Sequence, residues 1–132
     1  MKLFFMIFLV LLILISGCAT SSYLDLSTVM NNPDSYVEQT ITVKGTAEPD
    51  LMVKCTTQMC EESNPCCRTC SSRLLLTQSS SSVTIEGGEC KGNNCEMTCF
   101  PLEQGKEYLV SGFLKKENSK YIFFVQSYED WK

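Results

Sequence analysis

Apolar and polar residues follow three rhythms along this chain. Leu3 to Ile15 is an unbroken run of 13 apolar side chains behind a single basic residue, Lys2. From Leu24 to Asn31 the spacing is helical: Leu26, Val29 and Met30 share a face, Asp25 stands at the N-cap position between Leu24 and Val29 as a hydrophobic staple, and Asn32-Pro33 stops the pattern. From Gln39 to Glu48 the period is two, with Ile41, Val43, Gly45 and Ala47 alternating with Thr40, Thr42, Lys44 and Thr46. That is a half-buried strand, and Gly45 marks a bulge or sharp coiling midway.

Pro49-Asp50 then predicts a turn into Leu51–Cys55, whose pairing with the preceding strand makes a first hairpin. The strand signal vanishes between Cys55 and Arg73. It returns in Arg73–Gln78, is broken by the polar loop Ser79–Ser82, and resumes in the short Val83–Glu86 before a turn at Gly87-Gly88. After an irregular stretch from Cys90 to Gly105, Glu107–Lys115 and Lys120–Tyr128 form a closing hairpin through Glu117, Asn118 and Ser119. Five or six strands and one short helix predict a mainly β fold, a small closed or partly open barrel, because closure removes the edges so few strands would otherwise expose.

The leading apolar run reads as a secretory signal, since 13 residues at 1.5 Å rise cover only about 20 Å of a roughly 30 Å hydrocarbon layer. It ends in Ile15-Ser16-Gly17-Cys18, which resembles the lipobox of bacterial lipoproteins. The resemblance implies cleavage before Cys18, a diacylglyceryl group on its thiol and an acylated amino terminus. Residues 1–17 are then a signal peptide, 18–23 a lipidated tether, and 24–132 a small disulfide-rich β domain held to a lipid bilayer through acylated Cys18. Ala19 after the cysteine, rather than aspartate, implies the outer membrane, on its periplasmic face, by analogy with Gram-negative sorting.

Nine cysteines are present, and setting Cys18 aside leaves eight: Cys55, Cys60, Cys66, Cys67, Cys70, Cys90, Cys95 and Cys99. An even set in a small exported domain is a disulfide framework. Five lie in the first cluster and three in the second, so complete pairing requires at least one bridge between the clusters. The polar segment from Cys55 to Arg73 has too few apolar side chains to order itself without such links.

Other chemistry is sparse. Cys67-Arg68-Thr69-Cys70 has redox-pair spacing but lacks a βαβ context, and zinc held by Cys66, Cys67 or Cys70 with Cys95 or Cys99 competes with oxidation. Glu61-Glu62 and Glu129-Asp130 read as solvated carboxylates. With no histidine in the chain, Ser79 to Ser82 have no usual base to activate them. Tyr36, Tyr108, Tyr121, Tyr128 and Trp131 could form an aromatic binding patch, but isolated aromatics at strand spacing are usually core or rim residues. No catalytic residue, metal site or cofactor is predicted. Loss of Lys2 with the leader leaves 10 basic against 15 acidic side chains, a formal charge of −5 that disfavours nucleic acid as a partner.

The helix followed by Asn32-Pro33-Asp34-Ser35-Tyr36, then Ile41–Glu48 with its Val43-Lys44-Gly45 element, and Tyr108–Leu114 near the end, together resemble small exported bacterial proteins with an OB-type barrel. That resemblance implies an OB-like domain. The basic and aromatic interleaving of its nucleic-acid-binding members is missing here. The expected function is a membrane-anchored envelope module, non-catalytic, structural or protein-interacting, with an envelope protein as partner. The alternative is a small-ligand, glycan or metal-binding module, and a carboxylate-dependent enzyme ranks third. The intact mass of the mature protein checks the frame: a chain beginning at Cys18 with added acyl mass, gaining eight hydrogen atoms on reduction, is the expected result.

Overall fold

In the computed structural model, which describes residues 22–132, the alternating segment forms β2 (Thr40–Pro49), with Val43 and Ala47 fully buried on its inner side. Before it lie β1 (Leu24–Asp25), α1 (Leu26–Asn31) and a 3-10 turn (Pro33–Tyr36); after it come β3 (Lys54–Cys55), β4 (Thr69–Gln78), β5 (Ser81–Asn93), β6 (Met97–Phe100), β7 (Glu107–Glu117) and β8 (Lys120–Asp130). β2 pairs antiparallel with β7 over Thr40–Thr46 and with β4 over Thr46–Pro49. β4 continues to β5, β5 runs parallel to β8, and β8 returns to β7. The order β2-β4-β5-β8-β7 therefore closes on itself as a five-stranded barrel, the OB-like architecture that the sequence pattern implies.

Its interior is filled by alternate residues of all five strands, among them Val43, Leu74, Leu76, Ile85, Val110, Leu114 and Phe123, each at most 1% exposed. Leu26 and Val29 of α1 join the same cluster. The helical spacing is thus spent on the barrel core. Gly45 does not mark a bulge: β2 keeps one register with β7 through it. A Cβ there would come within 2.6 Å of Leu76 Cγ, so the glycine is required by close packing across the interior.

The cap of α1 also differs from expectation. Asp25 makes no cap bond to the helix; Gln78 at the end of β4 accepts from Leu26 N–H at 2.6 Å through Oε1 and donates to Asp25 Oδ1 at 3.1 Å through Nε2. A side chain 52 positions away from Leu26 therefore satisfies the helix start and ties it to one end of β4.

The hairpin expected between β2 and Leu51–Cys55 is absent. β2 and β3 both run antiparallel to β4, one after the other, so Pro49-Asp50 does not reverse the chain. Asp50 N–H still bonds Arg73 C=O, and pairing resumes at Lys54 opposite Ser71, which leaves Leu51, Met52 and Val53 across from Ser72 alone. They form a bulge. β5 does something similar: its register with β4 shifts between Arg73 and Leu75, and Glu86, Gly87 and Gly88 are absorbed inside a continuous strand instead of turning. The predicted loop Ser79–Ser82 shrinks to Ser79-Ser80, and β6, inside the stretch expected to be irregular, pairs with β5. The last hairpin turns at Asn118-Ser119, both with positive φ, as a two-residue turn between twisted strands requires.

Gln78→Ala is expected to destabilise the domain by about 1 to 2 kcal/mol, since it leaves the partly buried Leu26 N–H without its acceptor. Urea unfolding of the two proteins side by side measures it.

Candidate functional site

β4 and β5 outrun the barrel. Thr69–Arg73 pairs with Glu89–Asn93 beyond the closed ring, β3 flanks one side and β6 the other, and together they build a four-stranded arm in the order β3-β4-β5-β6. These strands are polar and gain little from apolar burial. Each edge strand is fixed to its inner neighbour by a disulfide between residues directly opposite in register: Cys55–Cys70 joins β3 to β4, and Cys90–Cys99 joins β5 to β6. The Cα separations are 4.0 and 3.9 Å, the close spacing of a non-hydrogen-bonded antiparallel pair.

Both bridges share one face of the arm. Cys70 lies opposite Gly92, Ser72 lies opposite Cys90, and residues two apart on a strand point the same way. On that face Gly92 is forced, because a Cβ would sit 2.2 Å from the carbonyl oxygen of Glu96. Cys90 and Cys99 continue into the barrel cluster beside Leu102, so the arm's inner face and the barrel core are one packed unit.

The loop 56–68 has no buried residue and is held by disulfides and hydrogen bonds. Cys60–Cys67 closes its tip and Cys66–Cys95 ties it to the loop after β5, the one bridge joining the two cysteine clusters. In the chain-entropy view that longer link contributes about 3.6 kcal/mol and the short one about 2.5 kcal/mol. Asn94 completes the attachment by donating to Pro65 C=O and Arg68 accepting and donating in turn: Arg68 N–H bonds Asn94 Oδ1, and Asn94 N–H bonds Arg68 C=O. Adjacent Cys66 and Cys67 thus have different partners.

At the neck between barrel and arm stands the bulge. Leu51 is 97% exposed, Met52 73% and Val53 41%. Three consecutive apolar side chains in water need a reason, and their mounting is ordered. Met52 N–H donates to Asp50 Oδ1 at 3.1 Å, while Arg73 donates to Asp50 Oδ2 through Nε and Nη2 at 3.1 and 2.5 Å. The Met52 amide first, and the Arg73 guanidinium second, hold the Asp50 carboxyl below the usual carboxylate range. Met59 and Phe100, at 93% and 71% exposure, add two more apolar side chains to the same arm.

The remaining candidates separate. Cys67 and Cys70 bond to Cys60 and Cys55, so they are not a redox pair, and the thiols of the zinc reading are consumed in the same way. Among the described residues no group of three His, Cys, Asp or Glu is placed to hold a metal ion, and no charged or polar residue is buried. The five aromatic candidates do not form one patch. Tyr108 is buried and its hydroxyl accepts from Glu103 N–H; Tyr121 donates to Asp34, which Lys116 and this phenol hold below the usual carboxylate range; Tyr128 packs edge-on to Tyr108; Tyr36 packs against the core; Trp131 meets Tyr23. Glu61, Glu62, Glu129 and Asp130 are exposed. Grooves of about 450 and 410 Å³ adjoin along Cys95, Glu96 and Met97, but the carboxylates there are solvated and Glu103 is paired with Lys106 at 2.6 Å. Cys18 lies outside the described residues.

No protein-family model, curated protein or solved structure matches this chain. The bulge is a candidate feature that strand patterning passes over. Its signal is the failure of alternation: Leu51, Met52 and Val53 are adjacent and cannot all face one side of a sheet.

Asp50→Asn is expected to speed hydrogen exchange at Met52 N–H and cost about 0.5 to 1 kcal/mol of stability. The same loosening arises in the unmodified protein on acidification. A lowered folded pKa means that this contribution is complete above about pH 3.9 and is lost as pH falls through the depressed value. Exchange measured across that range checks both statements.

Proposed function

We infer that this protein is a membrane-anchored envelope lipoprotein that works without catalysis, by presenting its disulfide-stapled arm to another envelope protein. The observation that carries the reading is the ordered display of Leu51, Met52 and Val53 on a base fixed by Asp50 and Arg73. Apolar side chains held in water at a fixed position lose little further entropy when a partner covers them, and this is what favours a contact site over an accidental exposure. Leu51 and Met52 enter a partner's apolar cleft, with Val53 at its rim. The arm needs oxidised cysteines to hold this shape, which fits export behind a signal peptide and attachment through Cys18.

The test uses the protein in its native envelope with a photo-crosslinking residue in place of Met52. One discrete adduct with an envelope protein is expected, reduced at least about tenfold by Leu51→Ser, the effect of losing roughly 1.4 kcal/mol of contact, and abolished by reduction of the disulfides. Crosslinking only to lipid, or no adduct at all, would overturn the protein-contact reading.

A further inference from the structure

The large exposed apolar side chains among the described residues are of two chemical kinds. On the arm and neck they are Leu51, Met52, Val53, Met59 and Phe100, which carry no polar tip. Tyr23, Trp131 and Tyr128, at 38%, 37% and 48% exposure, do carry one; Tyr128 packs edge-on to Tyr108, while Tyr23 and Trp131 pair where the described chain begins. The two rings meet edge to face with centroids 5.2 Å apart, and Lys44 Nζ lies 4.4 Å over the Trp131 ring. Trp131 N–H bonds Glu107 C=O, which pins the end of the chain, and Lys44 is offset by the Glu107 carboxylate at 3.5 Å. A tyrosine and a tryptophan side by side, with one neutralised ion pair beneath them, match the chemistry of a membrane interface better than that of an apolar protein pocket.

We propose that the Tyr23–Trp131 pair is a second, non-covalent membrane contact that seats the domain on the headgroup layer of the bilayer to which Cys18 is attached. The proposal rests on the anchored reading above. Its quantitative basis is tether length. Four residues lie between Cys18 and Tyr23, five steps that make at most about 18 Å of extended chain, so the aromatic pair never leaves the neighbourhood of the lipid surface. A short tether sets an effective concentration in the millimolar range, at which a contact far too weak to recruit a free protein is largely formed. The formal charge of −5, with Glu107, Glu129 and Asp130 on or beside this end, makes attraction to anionic lipid the wrong mechanism. Ring partitioning into the interface remains.

Seating at this point also aims the arm. The chain enters beside Val43, where β1 pairs in parallel with β2, and the apolar bulge begins eight residues further along at Leu51. Those eight residues span up to about 26 Å of strand. A domain resting on Tyr23 and Trp131 holds its bulge up to that distance from the contact, where it is free for a protein.

Trp131 is the chain's single tryptophan, so its fluorescence reports this site alone. The full chain, exported and processed by its native host, is reconstituted into dioleoylphosphatidylcholine vesicles, with and without phosphatidylglycerol, and with brominated acyl chains as quencher. The expected result is a blue-shifted Trp131 emission that brominated chains halve in both lipid mixtures, and recovery of most of that emission in Tyr23→Ser. Emission unchanged from the detergent-free soluble domain, or quenching only where phosphatidylglycerol is present, would overturn the proposal. Intact mass separates this from failure of the anchor. If no acyl group is found, the anchored reading fails, and the same chain coupled at Cys18 to a maleimide phospholipid decides the docking by itself. The eight other cysteines are all paired with one another, so the coupling reaches Cys18 alone.

Discussion

Barrel and arm are joined by the one strand that passes between them without a bulge of its own. β4 runs from Thr69 to Gln78, pairing with β3 and the outer half of β5 in the arm, then with β2 and the inner half of β5 in the barrel. Its neighbours cannot follow so simply. Both must change from the curvature of a closed barrel to that of an open sheet at the same level, and each does so by inserting residues: Leu51–Val53 between β2 and β3, Glu86–Gly88 within β5. Leu74, fully buried, sits on β4 at that level. The exposed bulge is therefore a by-product of a topological requirement, and Asp50 with Arg73 turns the by-product into an ordered feature.

Where burial rather than covalent linkage orders a segment, the sequence was readable. β2, β7 and β8 announce themselves because alternate residues enter the core, and α1 because Leu26 and Val29 do. The arm strands were invisible for the complementary reason. Thr69-Cys-Ser-Ser and Glu89-Cys-Lys-Gly-Asn bury one cysteine each in a polar frame, so a cross-strand disulfide does the work of the apolar pair by which strands are normally recognised. Parity of the two clusters required a bridge between them, which is Cys66–Cys95, but parity is blind to which residues face each other. Asp25 holds the N-cap position of α1 as local rules expect, but the bond to the helix start comes from Gln78 at the end of β4, which such rules do not see.

A similar limit explains the candidate site. Pro49-Asp50 has the composition of a reversing turn, and whether the chain reverses depends on what lies opposite. Arg73 supplies the answer by pairing with Asp50 in both backbone and side chain, so the strand direction is kept and three apolar residues are pushed outward. The aromatic candidates scatter, as the core-or-rim reading of isolated aromatics at strand spacing expects. Tyr108 is an inner residue, Tyr36 packs half-buried against the core, Tyr121 holds the 3-10 turn through Asp34, Tyr128 stands at the surface against Tyr108, and Trp131 stands at the surface against Tyr23.

The two proposed contacts depend on different parts of the covalent structure. The aromatic pair is brought together by β1 on β2 and by the end of β8, all hydrogen-bonded barrel elements, with none of the four disulfides among them. The bulge stands at the neck, and beyond it the arm is largely polar, so apart from the buried Cys70, Cys90 and Cys99 its four disulfides oppose an ordering entropy of roughly 1 to 2 kcal/mol for each backbone. Partial reduction is therefore expected to act unequally: opening Cys60–Cys67 and Cys66–Cys95 releases the loop 56–68, which has no buried residue, while the barrel keeps its apolar core. Under the proposed function, a partner that reads the arm would bind the oxidised chain and not the reduced one.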